Sequence, residues 1–124
     1  MAAGRPAEAD EFWAQAERLA PYDAVYPWRR AQIAAARGRW DAAEALARRA
    51  AEIEPGFLNV RVLRAEALEH LGRPDEARAE LAAVMRRRNE RGPRLNGSGY
   101  DMTIWDFDRR EFDRVAALAG KPRR

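Results

Sequence analysis

The sequence predicts an all-α fold, a short α-solenoid in which antiparallel helix hairpins stack side by side. One turn-and-helix pattern occurs three times, at intervals of 34 residues. The chain is 47% hydrophobic, and much of that fraction is alanine, the best helix former. No run shows the strict apolar–polar alternation of a β-strand.

The three copies each open on a Gly-Arg pair and continue into an amphipathic helix. They read GRPAEADEFWAQAERLAP from residue 4, GRWDAAEALARRAAEIEP from residue 38 and GRPDEARAELAAVMRRRN from residue 72. Glycine just past a helix accepts the left-handed backbone that closes the last turn. Pro6 and Pro74 suit a first helical turn, and Pro21 and Pro55 end the helices before them. Asp41 with Glu44 predicts a capping box.

Helical spacing of apolar residues places the helices. The predicted spans are about 6–20, 24–37, 41–53, 57–71 and 74–88. In the first span the predicted inward face consists of Ala9, Phe12, Trp13, Ala16 and Ala20. Beyond a loop, Asp108 is a predicted N-cap, Gly120 a predicted C′ residue, and Phe112 begins an apolar stripe between them.

A helix–turn–helix unit of this length resembles the tetratricopeptide repeat family. Gly38 and Gly72 stand at the family's turn, Trp40 at its aromatic position after the turn, and Pro55 at its closing proline. The family's small positions are occupied by Ala31, Ala65, Ala43, Ala77 and Ala50. The large aromatic residue near the start of the first helix is replaced by Pro27 and Arg61.

The resemblance divides the chain into a half repeat and two full repeats. Residues 1–23 supply a second helix only, and 24–57 and 58–91 are the full repeats. Residues 92–120 are expected to form a loop and a capping segment, because a repeat row needs an end cap. In that segment Trp105, Phe107 and Phe112 are expected to pack on the fourth and fifth helices. Residues 121–124 are expected to be a disordered tail.

The resemblance also implies a protein-interaction scaffold, whose concave groove holds a peptide or helix of a partner protein. The groove residues it implies are Trp28, Arg29, Gln32, Asn59, Val62, Glu66, Glu69 and His70. Trp28 has two possible roles, a core side chain between helices or an anchor for the partner. The identity of the partner does not follow from the sequence.

Three alternatives remain for partners. The Arg86–Arg94 region could bind nucleic acid or an anionic surface, although arginines there also complement the dipole of the fifth helix. A homodimer could form through an exposed end of the repeat row. The chain could also be an auxiliary soluble segment of a larger bacterial protein, such as a membrane glycan polymerase or ligase.

Composition excludes several other classes of function. The chain has no cysteine, so disulfides and cysteine-ligated metals are excluded. No nucleophile and base are paired, and the lone His70 beside Glu66 and Glu69 is a weak metal pattern. We therefore expect no enzymatic activity, cofactor or metal. No apolar run is long enough to cross a membrane, and the net charge is only +3. A cytoplasmic protein is expected.

Overall fold

The computed structural model describes residues 5–91 and 107–120 of the chain. These residues form six α-helices and no strand, which confirms the all-α prediction. The helices are α1 (Pro6–Leu19), α2 (Val25–Ala36), α3 (Trp40–Ile53), α4 (Leu58–His70), α5 (Pro74–Arg91) and α6 (Arg109–Ala119). Trp105 and the predicted tail 121–124 lie outside the described residues.

Each helix from α1 to α4 packs against the next helix in the chain. The connections at 37–39 and 71–73 are only three residues long, so the helices that they join fold back on each other. Helix α2 also contacts α4, and α6 packs against both α4 and α5. Helices α2 and α4, the first helices of the two predicted repeats, are therefore neighbours, and α6 lies beside α4.

One glycine closes each of the two helices α2 and α4. Gly38 and Gly72 have φ angles of 72° and 76°, as the sequence predicted. At the first turn, the Arg39 amide donates to the Ala34 carbonyl at 2.9 Å and the Gly38 amide donates to Ala35 at 3.0 Å. The same two bonds recur around Gly72. Each turn is a Schellman motif, which pairs carbonyls that a helix end otherwise leaves unpaired.

Replacing Gly72 with alanine is expected to destabilise the fold by about 1 kcal/mol, because a Cβ is disfavoured at positive φ. No atom lies within 4 Å of the position that this Cβ would occupy, so the cost is conformational and not a clash. Gly72→Asn is the matched control, since asparagine tolerates this conformation better. Urea unfolding should rank wild type, Gly72→Asn and Gly72→Ala in descending stability; equal midpoints would contradict this explanation.

Small side chains occupy buried positions where neighbouring helices cross. Ala31, Ala43, Ala65 and Ala77 are each 0% exposed, at the positions where the sequence predicted small residues. Larger apolar side chains fill the space around them, forming three clusters along the row of helices. Because these crossings have no room for added methylenes, a larger residue there would strain the packing.

Three local predictions were wrong, one of them at Gly120, which is the C-cap of α6 with a right-handed φ of −83° and not a C′ residue. The capping box at Asp41 does not form, because α3 begins one residue earlier, at Trp40, with Arg39 as its N-cap. Asp41 therefore lies inside the first turn and accepts a hydrogen bond from the Ala42 amide at 2.9 Å. Phe12 was expected to face inward, yet it is 64% exposed.

Candidate partner-binding groove

An open cavity of about 680 Å³ lies between α2, α4 and the start of α6. Its size is typical of sites that hold a ligand group. Four of the predicted groove residues line it: Trp28, Arg29, Gln32 and Asn59. The remaining lining residues are Val25, Phe57, Leu63, Asp108 and Glu111.

Trp28 forms the apolar floor of this cavity together with Phe57. The two rings meet edge to face, with centroids 4.7 Å apart. Phe57 is buried, whereas Trp28 is half-buried and keeps part of its indole open to the cavity. The Arg29 guanidinium lies 5.1 Å from the Trp28 ring centroid, within the range of a cation–π contact. Trp28 thus packs on the core and also presents a surface that a partner could cover.

Asn59 joins the cavity to the capping helix. Its side-chain oxygen accepts a hydrogen bond from the Asp108 amide at 2.8 Å. Asp108 in turn caps α6 as predicted, accepting from the Glu111 amide at 3.0 Å. Asn59 therefore positions the first turn of α6, and through it the Asp108 and Glu111 side chains at the cavity wall.

The other predicted groove residues of α4 lie beneath α6 or at the far end of α4. Val62 is only 1% exposed and shares a core cluster with Phe112 and Val115 of α6. Glu66 is buried and pairs with Arg114 at 2.7 Å, and Glu69 is also buried. None of these three side chains lines the open cavity, and α6 covers Val62 and Glu66.

His70, the last predicted groove residue, lies away from the cavity. Its ring stacks on Trp40 with centroids 3.9 Å apart and an interplanar angle of 1°. Glu66, one of its proposed metal-ligating neighbours, is engaged by Arg114 instead. Within residues 5–91 and 107–120, no three metal-ligating side chains converge.

The wall formed by α6 carries more negative than positive charge at the cavity. Arg114 is shared between Glu66 and Glu111, and the Asp108 carboxylate lies at the same end of α6. The hydrogen bond to Glu111 raises the pKa of Arg114 above its ordinary value; burial opposes this rise, and Glu66 adds to it. Glu66 and Glu111 thus share one firmly charged guanidinium, and Asp108 adds a further carboxylate at the cavity wall, while Arg29 stands on the α2 side.

A second set of charged side chains forms ion pairs between helices, and these pairs do not line the cavity. Arg64 of α4 donates to Glu44 of α3 at 2.9 Å and to Glu80 of α5 at 2.6 Å. Burial opposes the charge on Arg64, but its bonds to the two glutamates raise its pKa overall. The same pairing occurs one repeat earlier, where Arg30 donates to Asp10 at 2.9 Å.

This repeated pairing was not predicted, although the sequence contains its signal. Asp10 and Glu44 are 34 residues apart, and so are Arg30 and Arg64. Three lining residues, Phe57, Leu63 and Glu111, were likewise not predicted. Phe57 and Leu63 line the cavity because α4 packs beside α2, with Phe57 against Trp28. Glu111 lines it because α6 packs next to α4, which a repeat period does not specify.

The basic cluster lies largely along α5. Arg86 is exposed and Arg87 half-buried, and the Arg88 guanidinium lies 5.3 Å from the Phe107 ring centroid. Arg94 lies outside the described residues. At least one arginine of the cluster thus packs on the capping segment, and the others near the helix end suit its dipole.

Short helices packed in chain order, with alanine crossings and an open cavity, define a helical-repeat protein of the kind that serves as a protein-interaction module. The sequence profile of the tetratricopeptide repeat family matches residues 34–97. The chain belongs to this family, which is typically non-catalytic. No curated protein and no solved structure gives a significant match. Among the described helices, none has both the length and the hydropathy needed to cross a membrane.

Proposed function

We propose that the groove between α2, α4 and α6 binds a peptide segment of a partner protein. An apolar side chain of the peptide packs against Trp28 and Leu63, and a neighbouring basic side chain faces Asp108 and Glu111. The observation that carries this proposal is the half-buried Trp28 on the floor of an open cavity. Tryptophan is enriched among the residues that dominate binding energy, since it buries much area with few rotatable bonds.

The charges of the groove favour a basic peptide over an acidic one. The α6 wall contributes two carboxylates, Asp108 and Glu111, to the cavity lining, and Arg114 is shared between Glu111 and Glu66. A carboxylate of a partner would be repelled there, whereas a lysine or arginine would be attracted and held in one orientation. Arg29 on the opposite wall allows an acidic group at the other end of the same peptide.

Selection from an unbiased displayed peptide library tests the proposal. We expect the enriched peptides to combine an aromatic or aliphatic residue with a lysine or arginine. Gln32→Arg should then weaken their binding by about tenfold or more, because it adds bulk and positive charge inside the groove. Trp28→Ala should weaken it by a similar factor through loss of the apolar floor.

Ala45→Arg is the matched control, because Ala45 is exposed on α3 and does not line the cavity. This variant adds the same charge and should bind the peptides as wild type does. Circular dichroism confirms that each variant is folded. Peptides that bind Gln32→Arg as tightly as wild type, or that carry no basic residue, would refute the proposed site.

A further inference from the structure

Helix α1 leaves one whole side open to solvent. Glu11, Phe12, Gln15, Arg18 and Leu19 are all exposed, and their spacing places them on one stripe of the helix. Phe12 is 64% exposed and Leu19 is 88% exposed. Tyr22, just beyond the helix, is 89% exposed. Among the described residues, no helix packs on this stripe. Helix α1 therefore exposes the apolar side chains of Phe12 and Leu19, with the charged Glu11 and Arg18 beside them.

The repeat shows what usually covers these positions. Leu46 and Ile53 stand 34 residues after Phe12 and Leu19. Both are partly buried against a cluster that includes Ala24 and Ala31. A first helix antiparallel to α3 therefore covers these positions in the full repeat. The half repeat at α1 lacks that helix among the described residues.

We propose that a second copy of this chain covers this stripe, with the α1 helix of the second copy lying antiparallel across the α1 helix of the first copy. The two copies are related by a two-fold axis that passes close to Gln15. Each α1 then lies antiparallel across its partner's α1, in the way that α2 packs on α3. A two-fold interface needs a surface that is complementary to itself, and the stripe on α1 meets this requirement in two ways.

The first complementarity is between charges. Glu11 and Arg18 lie symmetrically on either side of the middle of the stripe, so the two-fold places each Glu11 beside the other copy's Arg18. The second is between apolar groups, since the midpoint between Phe12 and Leu19 lies only one residue beyond the midpoint between Glu11 and Arg18, with Gln15 between the two midpoints. Each Phe12 then meets the other copy's Leu19, which borders an open cavity of about 490 Å³ lined also by Tyr22 and Ile53.

The contact buries about one helix face from each copy. This buried area is smaller than the roughly 1,200–2,000 Å² that a stable interface buries. We therefore expect a reversible dimer with a dissociation constant in the micromolar range. Sedimentation equilibrium of the full chain, over a roughly hundredfold range of concentration, should show a monomer–dimer equilibrium. Phe12→Asp should weaken association by at least about tenfold, because it places a charge in the apolar contact. Circular dichroism of this variant should match wild type.

A charge-swap experiment tests the antiparallel arrangement. Glu11→Arg and Arg18→Glu alone should each weaken self-association several-fold, since each converts two attractive pairs into repulsive ones. An equimolar mixture of the two variants should recover a heterodimer at least as tight as the wild-type dimer. In the mixture every contact between copies is again Arg with Glu, whereas the 3.4 Å pair between Glu11 and Arg18 within each chain stays broken. The recovery would therefore arise between chains.

Three results would overturn the proposal. A chain that stays monomeric at every concentration would show that the stripe binds a different partner, such as a helix of another protein. A dimer that Phe12→Asp does not weaken would lie on a different surface. A mixture of Glu11→Arg and Arg18→Glu that stays monomeric would exclude the antiparallel two-fold.

Discussion

A chain that ends at Gly92 is expected to lose much of its stability, with a thermal midpoint lowered by about 15 °C or more. The truncation removes α6 and uncovers the apolar side of α4 and α5. In the full chain, α6 buries Phe112, Val115 and Ala119 against Leu58, Val62 and Leu81. Burying a Phe or Val side chain is worth about 1.5–3 kcal/mol each. Differential scanning calorimetry of the two chains measures the difference.

The point substitution Phe112→Ala isolates the largest part of this effect. Phe112 is only 8% exposed, so the substitution is expected to cost about 3 kcal/mol. The matched control is Phe12→Ala, in which a ring of the same kind is removed from an exposed position. At concentrations where the chain is monomeric, this control should change stability by less than about 0.5 kcal/mol. Equal effects of the two substitutions, or a shortened chain as stable as the full one, would contradict the capping role of α6.

The second large effect is expected at Arg64. Replacing it with methionine keeps the apolar stem but leaves Glu44 and Glu80, whose side chains are 8% and 9% exposed, short of their partner. A buried carboxylate without its cation is costly. Because Arg61 still reaches Glu80, we expect a loss of about 2–3 kcal/mol, below the usual cost of a fully broken buried pair. Urea denaturation gives the free energy of unfolding.

Arg48→Met is the matched control for Arg64. Arg48 approaches the same Glu44, at 3.9 Å, but its side chain is 54% exposed. Pairs of this kind contribute little, so the control should cost less than about 0.5 kcal/mol. If Arg64→Met were no more destabilising than Arg48→Met, the three-helix ion network would not hold the repeats together. The added substitution Glu44→Gln should restore part of the stability lost in Arg64→Met, because it removes the uncompensated charge.

The elements of the fold could be predicted because glycine and proline act locally. Gly38 and Gly72 close helices by adopting a backbone that other residues resist, and Pro6 and Pro74 begin helices where no amide is needed. The alanine positions were equally informative, since a residue that recurs at period 34 as alanine marks a crossing of two helices. These signals depend only on neighbouring residues and on the repeat period. Both can be read from a single sequence.

The errors occurred where the outcome depends on a partner in space. The apolar spacing of Phe12 correctly indicated a helix face, but whether a second helix covers that face is not a local property. Asp41 and Glu44 had the spacing of a capping box, yet Glu44 bonds to Arg64 in a different helix. Tertiary contacts of this kind override a local motif.

The residues that line the cavity could be predicted only in part. The α2 residues and Asn59 of α4 follow from the repeat register, because α2 and α4 have the positions that the family assigns to first helices. The remaining wall depends on α6, which departs from the 34-residue period. It covers Val62 and Glu66 and adds Asp108 and Glu111 to the wall. A repeat pattern cannot specify how an element outside the pattern will pack.

Chemical-shift mapping by NMR tests the proposed binding face most directly. A selected peptide is titrated into the isotope-labelled chain, and the perturbed amides are assigned. We predict that the largest perturbations lie at Trp28, Gln32 and Leu63 and at the first turn of α6, together with the indole N–H of Trp28. Perturbations confined to the outer surfaces of α3 and α5, with these groups unchanged, would contradict the account.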